Sequence, residues 1–333
     1  MFIPIQPAPH FGTSYFHSIR MSIPQRFRLQ AAIPITYSLL IFISHAFTNL
    51  HAAQQAASSV APPPPAPTMT SQTAYKTEKN IPYYETGPLD DDQRQKCVLD
   101  IYYPETLKNF PTVVWFHGGG LVKGGKYFPS IRQKGIALIA VGYRLSPQAK
   151  HPDYLQDAAA ATAWTLKHIE RYGGSPPKVF ISGSSAGGWL AAMIAMDPRW
   201  LAAHNLSNSQ LAGMIPVSGQ MTAHFHDKKL RGDTGPRFRP IIDEFAPLYH
   251  AAKTVPPVCL IVGDRQLELK ARVEENELMA ASLRALGHRH VEFYEMQGLS
   301  HTTINGGAML LLPDFVHKIS AEVDAANNDP SVR

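Results

Sequence analysis

Ser185 stands in Gly183-Ser184-Ser185-Ala186-Gly187 and His301 in Gly298-Leu299-Ser300-His301, with two acids, Asp264 and Glu268, between them. Upstream runs His117-Gly118-Gly119-Gly120. A hydroxyl, an imidazole and a carboxylate are the groups of nucleophilic acyl transfer. The imidazole takes the hydroxyl proton, and the carboxylate holds it in the right tautomer. A glycine run supplies backbone N–H groups that reach a developing oxyanion with no side chain in the way. A lone Gly-x-Ser-x-Gly is a weak signal; four segments falling in the order glycine loop, serine, acid, histidine is a much stronger one.

Each member needs an element to place it. Lys178–Ile181 (KVFI) reads as a strand and Gly188–Met196 as a helix, so Ser185 sits on a sharp strand-to-helix turn. Gly183 and Gly187 leave room there for the neighbouring backbone, and the helix N-terminus favours negative charge at the reacting centre. The glycine run directly follows the apolar strand TVVWF (112–116), which assigns the Gly119, Gly120 and Ala186 N–H groups as oxyanion donors. His117 is read as a brace for that loop. His301 follows the last strand, Val291–Tyr294, and is preferred as the base over His288 and His290, which flank that strand's start. Asp264 leaves the strand VCLIV (258–262) directly after Gly263 and is the favoured acid. Glu268 is the alternative if the loop curls.

The remaining elements alternate in the same way. Strands are read at 98–103, 136–141 and 211–217, and helices at 153–172 (stopping at Gly173-Gly174), 272–286 and 313–326. Such alternation predicts an α/β fold with a mostly parallel central sheet flanked by helices on both faces. The stretch 219–253 is irregular and longer than an ordinary connection, which suits a lid or acyl-pocket wall. It holds His224-Phe225-His226-Asp227, but two histidines at i, i+2 with no further ligand cluster make a poor metal site, so no metal is expected.

The 333-residue chain is 44% apolar and 17% charged, ordinary for a globular enzyme. Its formal charge of +5 overstates the basic character of the folded part, because no Asp or Glu occurs before residue 78. No basic stripe interleaved with aromatics is present, and nucleic-acid binding is not expected. Arg26 and Arg28 precede the apolar run Ala31–Phe47, and Leu50-His51-Ala52 precedes a cleavage point before Ala53. Residues 1–52 therefore read as a signal peptide, with Met21 as an alternative start, and the protein as periplasmic or secreted with no stable membrane span after cleavage. An uncleaved anchor is the rival reading, but Pro34 and His45 interrupt a run that is already short for a span. Residues 53–74, rich in Pro and Ala, read as a linker, 75–326 as the catalytic domain and 327–333 as a tail. Cys97 and Cys259 lie inside apolar strand-like runs and are expected as buried thiols, not a disulfide.

TVVWFHGGGLVKG, VGYRLSP, DAAAATAW, ISGSSAGGWLAAM and GLSH resemble the alpha/beta hydrolase superfamily, in particular its hormone-sensitive-lipase-like and BD-FAE-like serine esterases, over about residues 80–320. The acid loop, GDRQLE, departs from the Asp-Pro-Leu pattern of the lipase-like branch. The resemblance implies a carboxylesterase acting without a cofactor on a small-molecule or polysaccharide-linked ester, acetyl or feruloyl esters of plant polysaccharides among them. An arylformamidase or other amidase, a peptidase-like hydrolase, and a noncatalytic binding protein on the same scaffold are the alternatives.

Overall fold

The computed structural model describes residues 73–328. The expected signal peptide, nearly all of the 53–74 linker and most of the 327–333 tail lie outside the described residues. Among those described, no helix is long and apolar enough to cross a membrane.

Eight strands form one sheet: β1 (Tyr75–Pro82), β2 (Val98–Pro104), β3 (Phe110–Phe116), β4 (Ala137–Val141), β5 (Gly174–Ser184), β6 (Gly213–Val217), β7 (Val258–Gly263) and β8 (Val291–Met296). Their order is β1-β2-β4-β3-β5-β6-β7-β8. β1–β2 and β2–β4 pair antiparallel and every other pair is parallel. Among the described residues seven helices accompany them: α1 (Asp91–Lys96), α2 (Asp153–His168), α3 (Ala186–Met196), α4 (Pro198–Ala202), α5 (Phe225–Leu230), α6 (Arg272–Ala285) and α7 (Ile304–Asn328).

Side-chain alternation along the strands divides the interior into two cores. Val114 and Phe116 of β3 face one way, with Ile181, Leu260, the alanines of α2, and Leu190 and Met279 of α3 and α6. Val113 and Trp115 face the other way, with Phe180, Ile261 and the Ile304, Leu312, Phe315 and Ile319 face of α7. Both faces of the central strands are thus covered, which is why they read as unbroken apolar runs. Cys97 and Cys259 are buried free thiols. α2 ends in a 3₁₀ turn (Ile169–Tyr172) closed by Gly173 at φ 95°.

The structure differs from the sequence reading at α7. This helix starts nine residues before Pro313, which lies inside it, and runs to Asn328, two residues beyond the expected domain end. Proline is at home in a first turn, hence the expectation. Burial of Ile304, Ala308, Met309 and Leu312 at helical spacing outweighs the one hydrogen bond that Pro313 removes.

Register carries the fold into function. Phe116 pairs with Gly183, Ser184 with Val217 and Gly263 with Met296, so the C-terminal ends of the parallel strands meet along one edge. Ligands of open α/β sheets bind at that edge.

Candidate active site

Ser185 is the residue between β5 and α3, and its backbone sits at φ 55°, ψ −115°. A non-glycine residue holds such a conformation only when its surroundings impose it. Here they do. A Cβ on Gly187 would fall onto the Phe116 carbonyl oxygen, and one on Gly183 would lie 2.5 Å from the Gly187 oxygen. The turn is therefore as tight as the backbone allows. The Ser185 N–H donates to Val217 O at 2.8 Å, tying the turn to the end of β6.

His301 Nε2 lies 2.9 Å from Ser185 Oγ, and His301 Nδ1 is hydrogen-bonded to Glu268 Oε1. The serine hydroxyl, the imidazole and one carboxylate thus form a continuous relay. The carboxylate is that of Glu268, not Asp264.

Asp264 has a different task. Its Oδ1 accepts the Gln266 N–H and its Oδ2 the Gly298 N–H, both at 2.8 Å. Its carbonyl accepts the N–H groups of Leu267 and Glu268, each at 2.8 Å, which rolls the loop into a turn and brings Glu268 back against the sheet edge. Position at the strand end made Asp264 the expected acid. The turn it nucleates is what displaces it.

Glu268 is enclosed: its side chain is 0% exposed, against 20% for His301. Oε2 accepts the Ser218 hydroxyl at 2.6 Å, and Oε1 accepts the Leu269 N–H at 2.8 Å. Burial pushes the Glu268 carboxyl up, but the hydrogen bonds from His301, Ser218 and Leu269 outweigh it and hold it down to about 2. Glu268 is therefore held as a carboxylate at neutral pH. Beneath it lies buried Arg272, whose guanidinium donates to Ser218 O. Burial presses that cation toward neutrality, while Glu275 and Glu268 oppose the shift. Glu275 in turn accepts the Met221 N–H at 3.0 Å and the Thr222 hydroxyl at 2.9 Å. The Ser218 N–H donates to Ile261 O at 2.7 Å, so the end of β6 holds Ser185 on one side and Glu268 on the other.

Sequence reasoning missed Ser218, Arg272 and Glu275. Their only sequence signal is a polar run just past β6 and an Arg and a Glu in the first turn of α6.

The glycine loop lies across the serine. Gly119 and Gly120 take φ 117° and 66°, and a Cβ on Gly119 would fall onto the Lys123 carbonyl. Among the described residues, the N–H groups of Gly119, Gly120 and Ala186 make no hydrogen bond, and Ala186 opens α3. They remain as free donors around Ser185. His117 is buried, stacks on Tyr143 with centroids 4.3 Å apart, and donates through Nδ1 to Gly118 O at 2.6 Å. Its carbonyl accepts the Tyr143 hydroxyl at 2.7 Å. Burial lowers the pKa of the ring, which fits a neutral brace. His288 and His290 lie away from Ser185: His288 Nε2 bonds Val255 O at 2.8 Å, and His290 Nε2 lies 3.6 Å from Glu322.

The serine opens into a cleft of about 1310 Å³, walled partly by the glycine loop and partly by the 219–253 segment. That segment contains α5, which Asp227 anchors. The buried Asp227 carboxylate accepts from His151 at 2.7 Å, from Arg231 at 2.8 Å and from the Tyr154 hydroxyl. His224 caps α5 by accepting the His226 N–H at 3.3 Å, and burial pushes its ring down to about 3. Among the described residues there is no group of three or more His, Cys, Asp or Glu side chains suited to a metal ion.

Comparison with known proteins agrees with this geometry. The BD-FAE family profile matches residues 99–212, from β2 through the serine turn and α3 to the segment before β6. A truncated carbohydrate esterase from gut microbiota superposes with a TM-score of 0.61 at 17% identity, over 76% of this chain and 99% of its own. The fold is that of the alpha/beta hydrolases. Esterase LipC of Mycobacterium tuberculosis is 22% identical to this hydrolase-fold chain over 235 residues, 63% of the chain and 57% of LipC. The isoprenylcysteine alpha-carbonyl methylesterase ICME of Arabidopsis thaliana is 26% identical over 256 residues, 67% of the chain and 59% of ICME. The chain therefore spans less than two thirds of the length of these curated relatives.

Proposed function

We propose that the protein is a serine carboxylesterase in which Ser185 is the nucleophile, His301 the general base and Glu268 the orienting acid. The observation that carries this is the unbroken relay from Ser185 Oγ through His301 to the ionised, enclosed Glu268. A noncatalytic binding protein would have no need of it.

The steps follow from the geometry. His301 Nε2 takes the Ser185 proton as Oγ attacks the ester carbonyl, and the imidazolium is held by Glu268. The N–H groups of Gly119, Gly120 and Ala186 receive the charge that forms on the carbonyl oxygen. Collapse expels the alcohol, which leaves with the proton carried by His301, and an acyl-enzyme remains on Ser185. Water, deprotonated by His301, then releases the acid. A phosphonate ester should label Ser185 alone and abolish activity. Label at another residue would overturn the assignment.

The family match and the likeness to a carbohydrate esterase support acetyl or feruloyl esters of plant polysaccharides as substrates. The Arg26/Arg28 cluster and the apolar run after it support export to the periplasm or beyond. Cell fractionation with N-terminal sequencing tests this: a mature start near Ala53 is expected, and intact cytoplasmic chains would contradict it.

A further inference from the structure

Lys123, Lys229 and Arg237 line the cleft that holds Ser185 and His301. All three are exposed, and among the described residues none is ion-paired. Cations elsewhere such as Arg265, Arg199 and Lys318 each meet a carboxylate within 2.9 Å, whereas these three bring uncompensated charge to one cleft. The carboxylate lining the cleft, Asp233, is already engaged by Lys228, 3.2 Å away, and by Arg239. Excess positive charge therefore faces the space a substrate must occupy.

Arg237 is held in place. Its guanidinium carbon lies 4.1 Å from the centroid of the Phe225 ring. Phe225 in turn packs against the oxyanion loop, its Cζ 3.5 Å from where a Gly120 Cβ would stand. One aromatic ring separates the cation from the loop proposed to hold the oxyanion. The segment carrying Arg237 is pinned from below by the buried Lys228 ammonium, which donates to Pro236 O at 3.0 Å and Arg239 O at 2.7 Å. A guanidinium lying on an aromatic face keeps its N–H edge free for bidentate carboxylate binding.

From these contacts we infer that the cleft selects esters that carry a carboxylate, with Arg237 as the principal specificity residue and Lys123 and Lys229 as its support. The inference rests on the esterase reading and narrows it. A like-signed cleft raises the local concentration of an opposite-signed substrate and its rate of entry by about 10-fold to 10³-fold. The carboxylate can sit on the acyl side, as in a dicarboxylate monoester, or on the alcohol side, as in an acetylated uronic-acid polymer.

The test compares kcat/KM for 4-nitrophenyl butyrate with that for mono-4-nitrophenyl glutarate, and for acetylated xylan with that for acetylated polygalacturonate. Wild-type enzyme should favour the anionic member of at least one pair, and that pair identifies the side. The preference should shrink as ionic strength rises from about 0.01 to about 0.1 M and the Debye length falls from ~30 to ~10 Å. Arg237→Gln should cut the anionic-to-neutral ratio roughly tenfold while neutral-ester turnover and melting temperature stay unchanged. Equal ratios in wild type and variant, or no anionic preference in either pair, would overturn the inference and leave the esterase standing. Failure to hydrolyse any of the four esters would remove both.

Discussion

Around Ser185 the constraints come from backbone atoms: the Phe116 and Gly187 carbonyls press on the turn, and Val217 O receives the serine N–H. Around Glu268 they come from side chains on separate elements: His301 after β8, Ser218 after β6, and Arg272 on α6 behind them. The proposed nucleophile is positioned by steric exclusion and the proposed acid by a hydrogen-bonded network. Steric exclusion admits almost no substitution at the turn. A network loses its members one at a time and by degrees.

The expected effects rank accordingly. Ser185→Ala removes the nucleophile and should lower kcat by about 10⁶ with the melting temperature unchanged. Retention of even a hundredth of the activity would break the assignment. Glu268→Gln leaves His301 without its charged partner and should cost roughly 10³- to 10⁴-fold in kcat. This substitution also alters acid stability. The Glu268 carboxyl lies near 2 when folded and near its ordinary value of 4.5 when unfolded. Its stabilising contribution is thus complete above about 4.5 and disappears as pH falls toward 2. Melting curves of Glu268→Gln should therefore be flatter than wild type across that interval.

Gly187→Ala tests steric exclusion directly. The added methyl group meets the Phe116 carbonyl, so about 3 kcal/mol of stability should go, a fall in melting temperature of roughly 6–12 °C. Asp264→Asn disturbs the link to Gly298 and should cost about tenfold in kcat/KM, the worth of one charge-assisted hydrogen bond. A collapse as deep as that of Glu268→Gln would return the acid role to Asp264. Ser218→Ala, which removes one of the hydrogen bonds to Glu268, should cost only a few-fold.

The same contrast explains what could be read in the chain. The turn at Ser185 is written locally, in a short strand, two glycines and a helix, and the loop after the last strand singles out His301. β3, β5 and β7 declare themselves as apolar runs because both their faces are covered. The choice between Asp264 and Glu268 is not local. It depends on Ser218 and Arg272, which lie 50 residues before Glu268 and four after it, and which only the folded sheet brings together. β1 left little trace because an edge strand with one partner buries almost nothing: YKTEKNIP has no covered face to create an alternation. α1 has an Asp90/Gln93 capping box but buries no residue, so no apolar stripe follows the signal.

Val217 and Ser218 grip both halves of the relay and are themselves latched to β7 through Ile261. The cleft wall begins at the very next residue and rejoins the sheet at Pro257, whose carbonyl accepts the Met214 N–H at 2.8 Å. Within it, the first residues, Gly219 to Thr222, are bonded to α6 through Asn276 and Glu275, while the exposed stretch around Arg237 carries the cleft-facing charge. The proposed chemistry and the cleft that would choose its substrate thus rest on different parts of the chain: the relay on strand ends, much of the cleft wall on one excursion of the backbone between β6 and β7, so that substrate choice can be altered there without touching the relay.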